Sequence, residues 1–167
     1  NRSHDVVAVG SDARRMVGKT PVNLSAYRPV QDSVVTNLEV TSTMIHTWGE
    51  EVEVFPRTCT VVEEGGTFLS NYVCMRPTKM VQMYPTAYLK GEGAVARFSG
   101  VVVAGTGSYV DTGSRAVLQA PNTSAELVTR AITNGGTIIS RGAVVAECPK
   151  TKGHIECRGL ILKDGVM

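Results

Sequence analysis

With 167 residues, 43% of them apolar and 19% charged, the chain can bury one core of its own and needs no disulfide to be stable. A formal net charge of +2, with no basic run interleaved by aromatics, argues against a nucleic-acid binder held by bulk electrostatics. No apolar stretch reaches the roughly 18 residues of a membrane span, and Asn1-Arg2-Ser3-His4-Asp5 does not resemble a secretory signal. A cytoplasmic protein without a membrane anchor, with proteins or ions as partners, is expected.

Near the start, Val6-Val7-Ala8-Val9-Gly10 and Ala13-Arg14-Arg15-Met16-Val17-Gly18-Lys19-Thr20 come close to a strand and phosphate-binding loop. Ala13 stands where the first Gly must be, Pro21-Val22-Asn23-Leu24 does not open a helix, and no Walker B aspartate follows an apolar strand. No nucleotide bound by this chain is expected. Further on, Glu50, Glu51 and Glu53 cluster beside Trp48 and Phe55. A carbohydrate enzyme would use such carboxylates, but a solvated edge is the stronger reading. Only three histidines occur, His4, His46 and His154, with no Gly-x-Ser-x-Gly elbow, which points away from an enzyme.

From residue 65 onward the turns keep a beat. Gly65-Gly66, Gly91-Glu92-Gly93, Ala120-Pro121-Asn122-Thr123 and Pro149-Lys150-Thr151-Lys152 each precede a similar segment. Those segments carry Ser70, Ser99, Thr129 and Cys157, which are 29, 30 and 28 residues apart. Inside the units, Gly107 and Gly113 fall 29 residues before Gly136 and Gly142. Between turns the chain is short and β-rich, as in Gly100-Val101-Val102-Val103, Ile138-Ile139 and Val144-Val145. A coil of this length cannot bury its apolar face alone, so each coil caps the next and the core becomes a column. The expected fold is all-β, a parallel β-helix of stacked coils of about 29 residues. Residues one coil apart stack at about 4.8 Å, which would place Ser70, Ser99, Thr129 and Cys157 in one line. Small polar residues also suit a crowded corner without any function.

The four cysteines, Cys59, Cys74, Cys148 and Cys157, form no CxxC pair, so their spacing does not suggest structural zinc. Cys59 and Cys74 read as buried small hydrophobes in β segments. Cys157 differs, because His154, Glu156 and Arg158 surround it, and a nearby cation favours the thiolate. On an unbroken strand, however, Glu156 and Arg158 point to the opposite face. The residues alone leave Cys157 open between a functional thiolate and a structural thiol. The chain stops at Met167 just after Lys163-Asp164-Gly165, in mid-beat, and reads as a piece of a longer protein.

A set of segments then points to a family. They are Met44-Ile45-His46-Thr47-Trp48, Gln82-Met83-Tyr84-Pro85-Thr86-Ala87-Tyr88-Leu89-Lys90-Gly91-Glu92-Gly93-Ala94, Asp111-Thr112-Gly113-Ser114-Arg115, Ala120-Pro121-Asn122-Thr123, Ser140-Arg141-Gly142 and Lys152-Gly153-His154-Ile155-Glu156-Cys157. In order and spacing, from Met44 to the end, the chain resembles SufB and SufD, the scaffold proteins of the SUF iron-sulfur cluster assembly system. The resemblance implies a right-handed parallel β-helix. It implies a non-catalytic scaffold that works with a SufC-like ABC ATPase and a second SufB/SufD-type subunit, in a homo- or heterodimer. A cysteine desulfurase system would supply sulfur, and a transient iron-sulfur cluster would be the cargo.

The resemblance also implies residue roles. Cys157 matches the cysteine tied to cluster assembly in SufB-like members, as a cluster ligand or sulfur acceptor. Trp48 matches a Trp of the family's interior polar path for sulfur, His46 lies at a polar position near it, and Arg57 falls near a basic residue of that path. His154 and Glu156 are candidate supporting groups. In domain terms, residues 1–40 match loosely and lead into the β-helix. Residues 41–167 form its core, ending before the C-terminal helical part that binds SufC and before a His-Glu-Ala segment expected beyond Met167. Two other readings stay open, a structural SufD-like subunit without a cluster site and a β-helical carbohydrate-binding or lyase-type module.

Overall fold

The computed structural model describes residues 4–6, 26–27, 30–35, 39–46, 51–76 and 78–167. Its strands are β1 (His4–Val6), β2 (Ala26–Tyr27), β3 (Val30–Val35), β4 (Glu39–His46), β5 (Glu53–Val54), β6 (Arg57–Val62) and β7 (Thr67–Cys74). They continue as β8 (Met80–Met83), β9 (Thr86–Leu89), β10 (Val95–Gly105), β11 (Tyr109–Leu118), β12 (Ser124–Asn134), β13 (Thr137–Ala146) and β14 (Lys152–Leu162). The near phosphate-binding loop lies almost wholly outside the described residues.

Strand β7 shows why these segments stack. It buries Phe68, Ser70, Tyr72 and Cys74 and leaves the residues between them half-exposed, the two-residue period of an extended chain with one buried face. Eight residues cannot cover that face, so the neighbouring coils do. One sheet runs β1-β4-β7-β10-β12-β14, and the other runs β2-β5-β8-β11-β9-β6-β3 with β13 added on β11. Every ladder between these strands is parallel. The chain is a parallel β-helix, as its repeat predicts. Among the described residues no helix is long and apolar enough to cross a membrane.

The coil length is not uniform. In the first sheet the in-register residues Glu39, Thr67, Val95, Ser124 and Lys152 are separated by 28, 28, 29 and 28 positions. Of the expected line of Ser70, Ser99, Thr129 and Cys157, only the step from Thr129 to Cys157 holds. Ser70 pairs with Phe98, Ser99 pairs with Asn71 and Val128, and Gly100 is the residue in register with Thr129 and Tyr72. A one-residue slip turns a strand residue to the other face, so Ser70 is buried while Ser99 is exposed. Likewise Gly113 pairs with Arg141, not with Gly142.

The corners do stack as the turn residues suggest. Gly65, Gly93, Asn122 and Lys150 have φ of 63°, 69°, 59° and 60° and succeed one another along one edge of the column. Gly65 N–H donates to Glu92 C=O at 3.1 Å, Gly93 N–H to Pro121 C=O at 3.2 Å, and Asn122 N–H to Lys150 C=O at 3.0 Å. Left-handed backbone suits Gly and Asn, and Lys150 adopts it because the corner below fixes the path.

Two apolar clusters fill the column. One holds Phe68, Leu89, Phe98, Leu118 and Leu127, with the Phe68 and Phe98 rings edge to face at 5.8 Å. The other holds Tyr72, Cys74, Val81, Met83, Val110 and Ile138. Outside, polar side chains tie coil to coil. The carboxylate of Asp111 on β11, only 3% exposed, accepts from Gln82 Nε2 on β8 at 3.2 Å and from Arg141 Nε on β13 at 2.7 Å, and a second Arg141 nitrogen closes the fork. One buried carboxylate so staples three successive coils, with a charged partner that offsets its desolvation.

Candidate functional site

Cys157 lies on β14, the edge strand of its sheet among the described residues. Its register neighbour is Thr129, which continues to Gly100, Tyr72 and Met44, so the cysteine belongs to an inward-facing row. In that row Tyr72 is buried, and Met44, Gly100 and Thr129 are half-buried. On β14, the last strand of the described residues, Cys157 is exposed, and Ile155 on the same face is 47% exposed where its register partner Leu127, one coil in, is buried.

The thiol is held from the opposite sheet. Cys157 Sγ lies 3.0 Å from Ser140 Oγ, with the thiol donating to the hydroxyl. Ser140 is in register with Thr112 on β11. The site is therefore one thiol against the Ser140 hydroxyl, with Thr129 as its register neighbour. Sequence reasoning missed Ser140 as a partner, because only the fold of the coil brings residue 140 across to residue 157. The signal available was its presence in the Ser140-Arg141-Gly142 segment.

The charged neighbours of Cys157 in sequence lie on the outer face. Glu156 Oε1 is 2.9 Å from an Arg130 guanidinium nitrogen and 2.6 Å from Arg158 Nε, and Glu156 Oε2 is 3.8 Å from His154 Nε2. Glu156 gathers these cations on the side of β14 away from the thiol, as strand alternation requires. His154 and Glu156 are brought together with each other and not with Cys157.

His46 ends β4, in register with Cys74, four strands from β14 and in a different inward row from Cys157. Its ring stands edge-on to Tyr72 at 5.1 Å. Arg57 is exposed at the start of β6, and Trp48 lies outside the described residues. Of the other cysteines, Cys74 is 2% exposed and burial pushes its thiol up, with Tyr72 acting the other way. Cys59 and Cys148 are half-buried. In the acidic cluster, Glu53 pairs with Lys79 Nζ at 2.7 Å and Glu51 is exposed, which fits a solvated edge; Glu50 lies outside the described residues. Among the described residues no three His, Cys, Asp or Glu side chains converge to hold a metal ion.

Burial pushes the His46 imidazole below its ordinary value of 6.5. The unfolded chain then holds that proton more tightly than the folded one. The resulting stability is fully present above the unfolded value of 6.5 and is lost as pH falls through the lowered folded value. His46→Gln is expected to flatten the loss of stability on acidification below neutrality, read from urea midpoints. An acid slope identical to wild type would assign that loss to other groups.

Comparison with known proteins then adds an independent line. The family described as SUF system FeS cluster assembly, SufBD core domain, matches residues 30–167. An iron-sulfur cluster assembly SufBD family protein of Archaeoglobus fulgidus is 51% identical over 131 residues, 78% of this chain and 35% of that protein. A namesake in Methanothermobacter thermautotrophicus is 42% identical over 130 residues, 77% of this chain and 32% of that protein. One from Staphylococcus aureus is 40% identical over 89 residues, 51% of this chain and 19% of its own length. The chain spans about a third of the length of the archaeal relatives.

Proposed function

This chain belongs to the SufBD family of the SUF iron-sulfur cluster assembly system, and on that premise we propose that it is scaffold rather than catalyst, with Cys157 as the point where sulfur or iron is received. The observation that carries this reading is the Cys157 thiol, inward-facing by register and held at 3.0 Å by Ser140 Oγ from the opposite sheet. A thiolate there is soft enough for iron and nucleophilic enough for sulfur.

As sulfur acceptor, the Cys157 thiolate attacks the outer sulfur of a donor persulfide. The donor's S–S bond breaks, a new S–S bond forms at Cys157, and the donor leaves as its thiolate, so no outside oxidant or reductant is needed. Ser140 would orient the thiol by accepting its S–H hydrogen bond, and the proton leaves to solvent water as the thiolate forms for attack. As iron ligand, Cys157 supplies one of the roughly four ligands a cluster takes. The others must come from elsewhere in the protein or from a second SufB/SufD-type subunit. The cluster is cargo, held briefly and passed on. ATP hydrolysis belongs to a SufC-like partner and acts by shifting the scaffold between conformations. His46 is assigned to the sulfur path, with Trp48 joining it on the family resemblance, and His154 and Glu156 to the outer support of β14.

The test is anaerobic reconstitution of the intact protein with iron and sulfide in the presence of its ATPase partner, followed by visible absorption and bound iron. A thiolate-to-iron absorption band with matching iron and sulfide is expected. Its absence would favour a structural SufD-like subunit.

A further inference from the structure

Ser140 reaches Cys157 from the opposite sheet, and what holds Ser140 in place lies on the other side of its own strand. Residues 140 and 141 are consecutive on β13, so Ser140 points into the column and Arg141 points out of it. Outside, Asp111 of β11 catches Arg141: the Nε donates to Asp111 Oδ1 at 2.7 Å, and a second guanidinium nitrogen donates to Asp111 Oδ2. Such a fork fixes the orientation of the guanidinium as well as its distance. The anchor itself is held, because the Asp111 carboxylate is 3% exposed and also accepts from Gln82 Nε2 on β8 at 3.2 Å.

The backbone is drawn in at the same level. Arg141 is in register with Gly113, and a Cβ on Gly113 would run into the Arg141 carbonyl. On the inward face the residue after Ser140 is Gly142, and a Cβ there would lie 2.9 Å from Ile155 Cγ2. Ile155 is two residues before Cys157 on β14 and shares its face. Strand β13 therefore meets β14 at two successive inward positions, Ser140 on Cys157 and Gly142 on Ile155, with the Arg141 fork between them on the outside. The ladder to β11 sets which residues lie side by side. It does not set how far Ser140 leans across the column, and a side-chain clamp at residue 141 does.

We infer that Asp111 is a positioning residue for the thiol site: through Arg141 it holds β13 so that Ser140 Oγ meets Cys157 Sγ. Asp111 touches neither the thiol nor anything the thiol would carry. The inference rests on the reading of Cys157 as the receiving thiol, and its geometry is testable without sulfur or iron.

The deciding experiment measures how fast iodoacetamide alkylates Cys157 in the intact protein at one fixed pH, read by mass spectrometry of the cysteine peptides. It compares wild type, Ser140→Ala, Asp111→Asn and the double variant. The Ser140 hydroxyl can turn to donate to the sulfur during attack, so Ser140→Ala is expected to slow alkylation about three- to tenfold, the worth of one hydrogen bond. Asp111→Asn keeps the shape of the side chain and gives up the charged fork. It is expected to slow Cys157 by a similar factor in the wild-type background and to add nothing in the Ser140→Ala background, because the two act in one chain of contacts. The half-buried Cys59 and Cys148 should keep their rates, whereas a general loosening of the column would speed them. An Asp111→Asn effect of equal size in both backgrounds, or in neither, would overturn the inference. So would an unchanged rate in Ser140→Ala, or a Cys157 that the reagent does not modify in wild type. Should Asp111→Asn not fold, Arg141→Lys, which keeps the charge and loses the fork, makes the same comparison with the same expectations. Alkylation reports where the thiol sits and not what it carries, so a failed cluster reconstitution would count against the receiving role and leave this result standing.

Discussion

Cys157→Ser is expected to leave the column folded and to abolish cluster assembly. The substitution exchanges one sulfur for one oxygen, and serine can keep the contact with Ser140, so stability should stay within about 1 kcal/mol of wild type. A hydroxyl neither accepts sulfane sulfur nor binds iron as a thiolate does. Bound iron and sulfide should fall to background, a larger loss than the roughly 10–100-fold caused by removing a supporting group around a metal. Thermal unfolding serves as the fold control. A folded variant that still assembles as much cluster as wild type would send the search to other ligands.

Gly91→Ala should have the largest effect on stability. Lys90 N–H and Gly91 N–H both donate to the Val62 carbonyl, at 2.9 and 3.2 Å, so the corner after β9 is pressed onto the corner of the preceding coil. A Cβ on Gly91 would fall 1.7 Å from Glu64 N and 2.2 Å from Glu63 C. Both are backbone atoms, so no side-chain rotation relieves the overlap, and two coils must move apart. The cost expected is about 3–5 kcal/mol, at the severe end of overpacking. For a chain of this size that lowers the unfolding midpoint by roughly 10–15 °C. A midpoint within a few degrees of wild type, at about the 1 kcal/mol level, would mean that the corners are not in contact.

The fold was legible in the sequence because its signals are local. Turn residues at Gly65, Gly93 and Asn122 mark corners that do stack, and apolar alternation along Thr67–Cys74 marks an inward face. Register was not legible. The step from Val95 to Ser124 takes one residue more than its neighbours, and nothing in the composition of that corner shows where the extra residue goes. The 28-residue step from Thr67 to Val95 leaves Ser99 one residue out of register with Ser70 and so on the other face, and the 29-residue step from Val95 to Ser124 puts Gly100 into the row of Cys157.

The site was legible in part for the same reason. Strand alternation placed Glu156 and Arg158 away from the thiol, and the ion pairs on the outer face agree. Ser140 reaches Cys157 only through the closure of the coil, a contact across 17 residues that no local pattern carries. The buried Asp111 had the same difficulty, since its partners Gln82 and Arg141 come from the coils on either side.

The most direct measurement is to expose the intact protein to a persulfide donor under anaerobic conditions and to map the added sulfur by mass spectrometry of peptides carrying each cysteine. Sulfur on Cys157 in preference to Cys59, Cys74 and Cys148 is the expected result. Sulfur confined to one of those three, or its absence from Cys157 in folded protein that still assembles a cluster, would contradict the assignment of Cys157 as the receiving thiol.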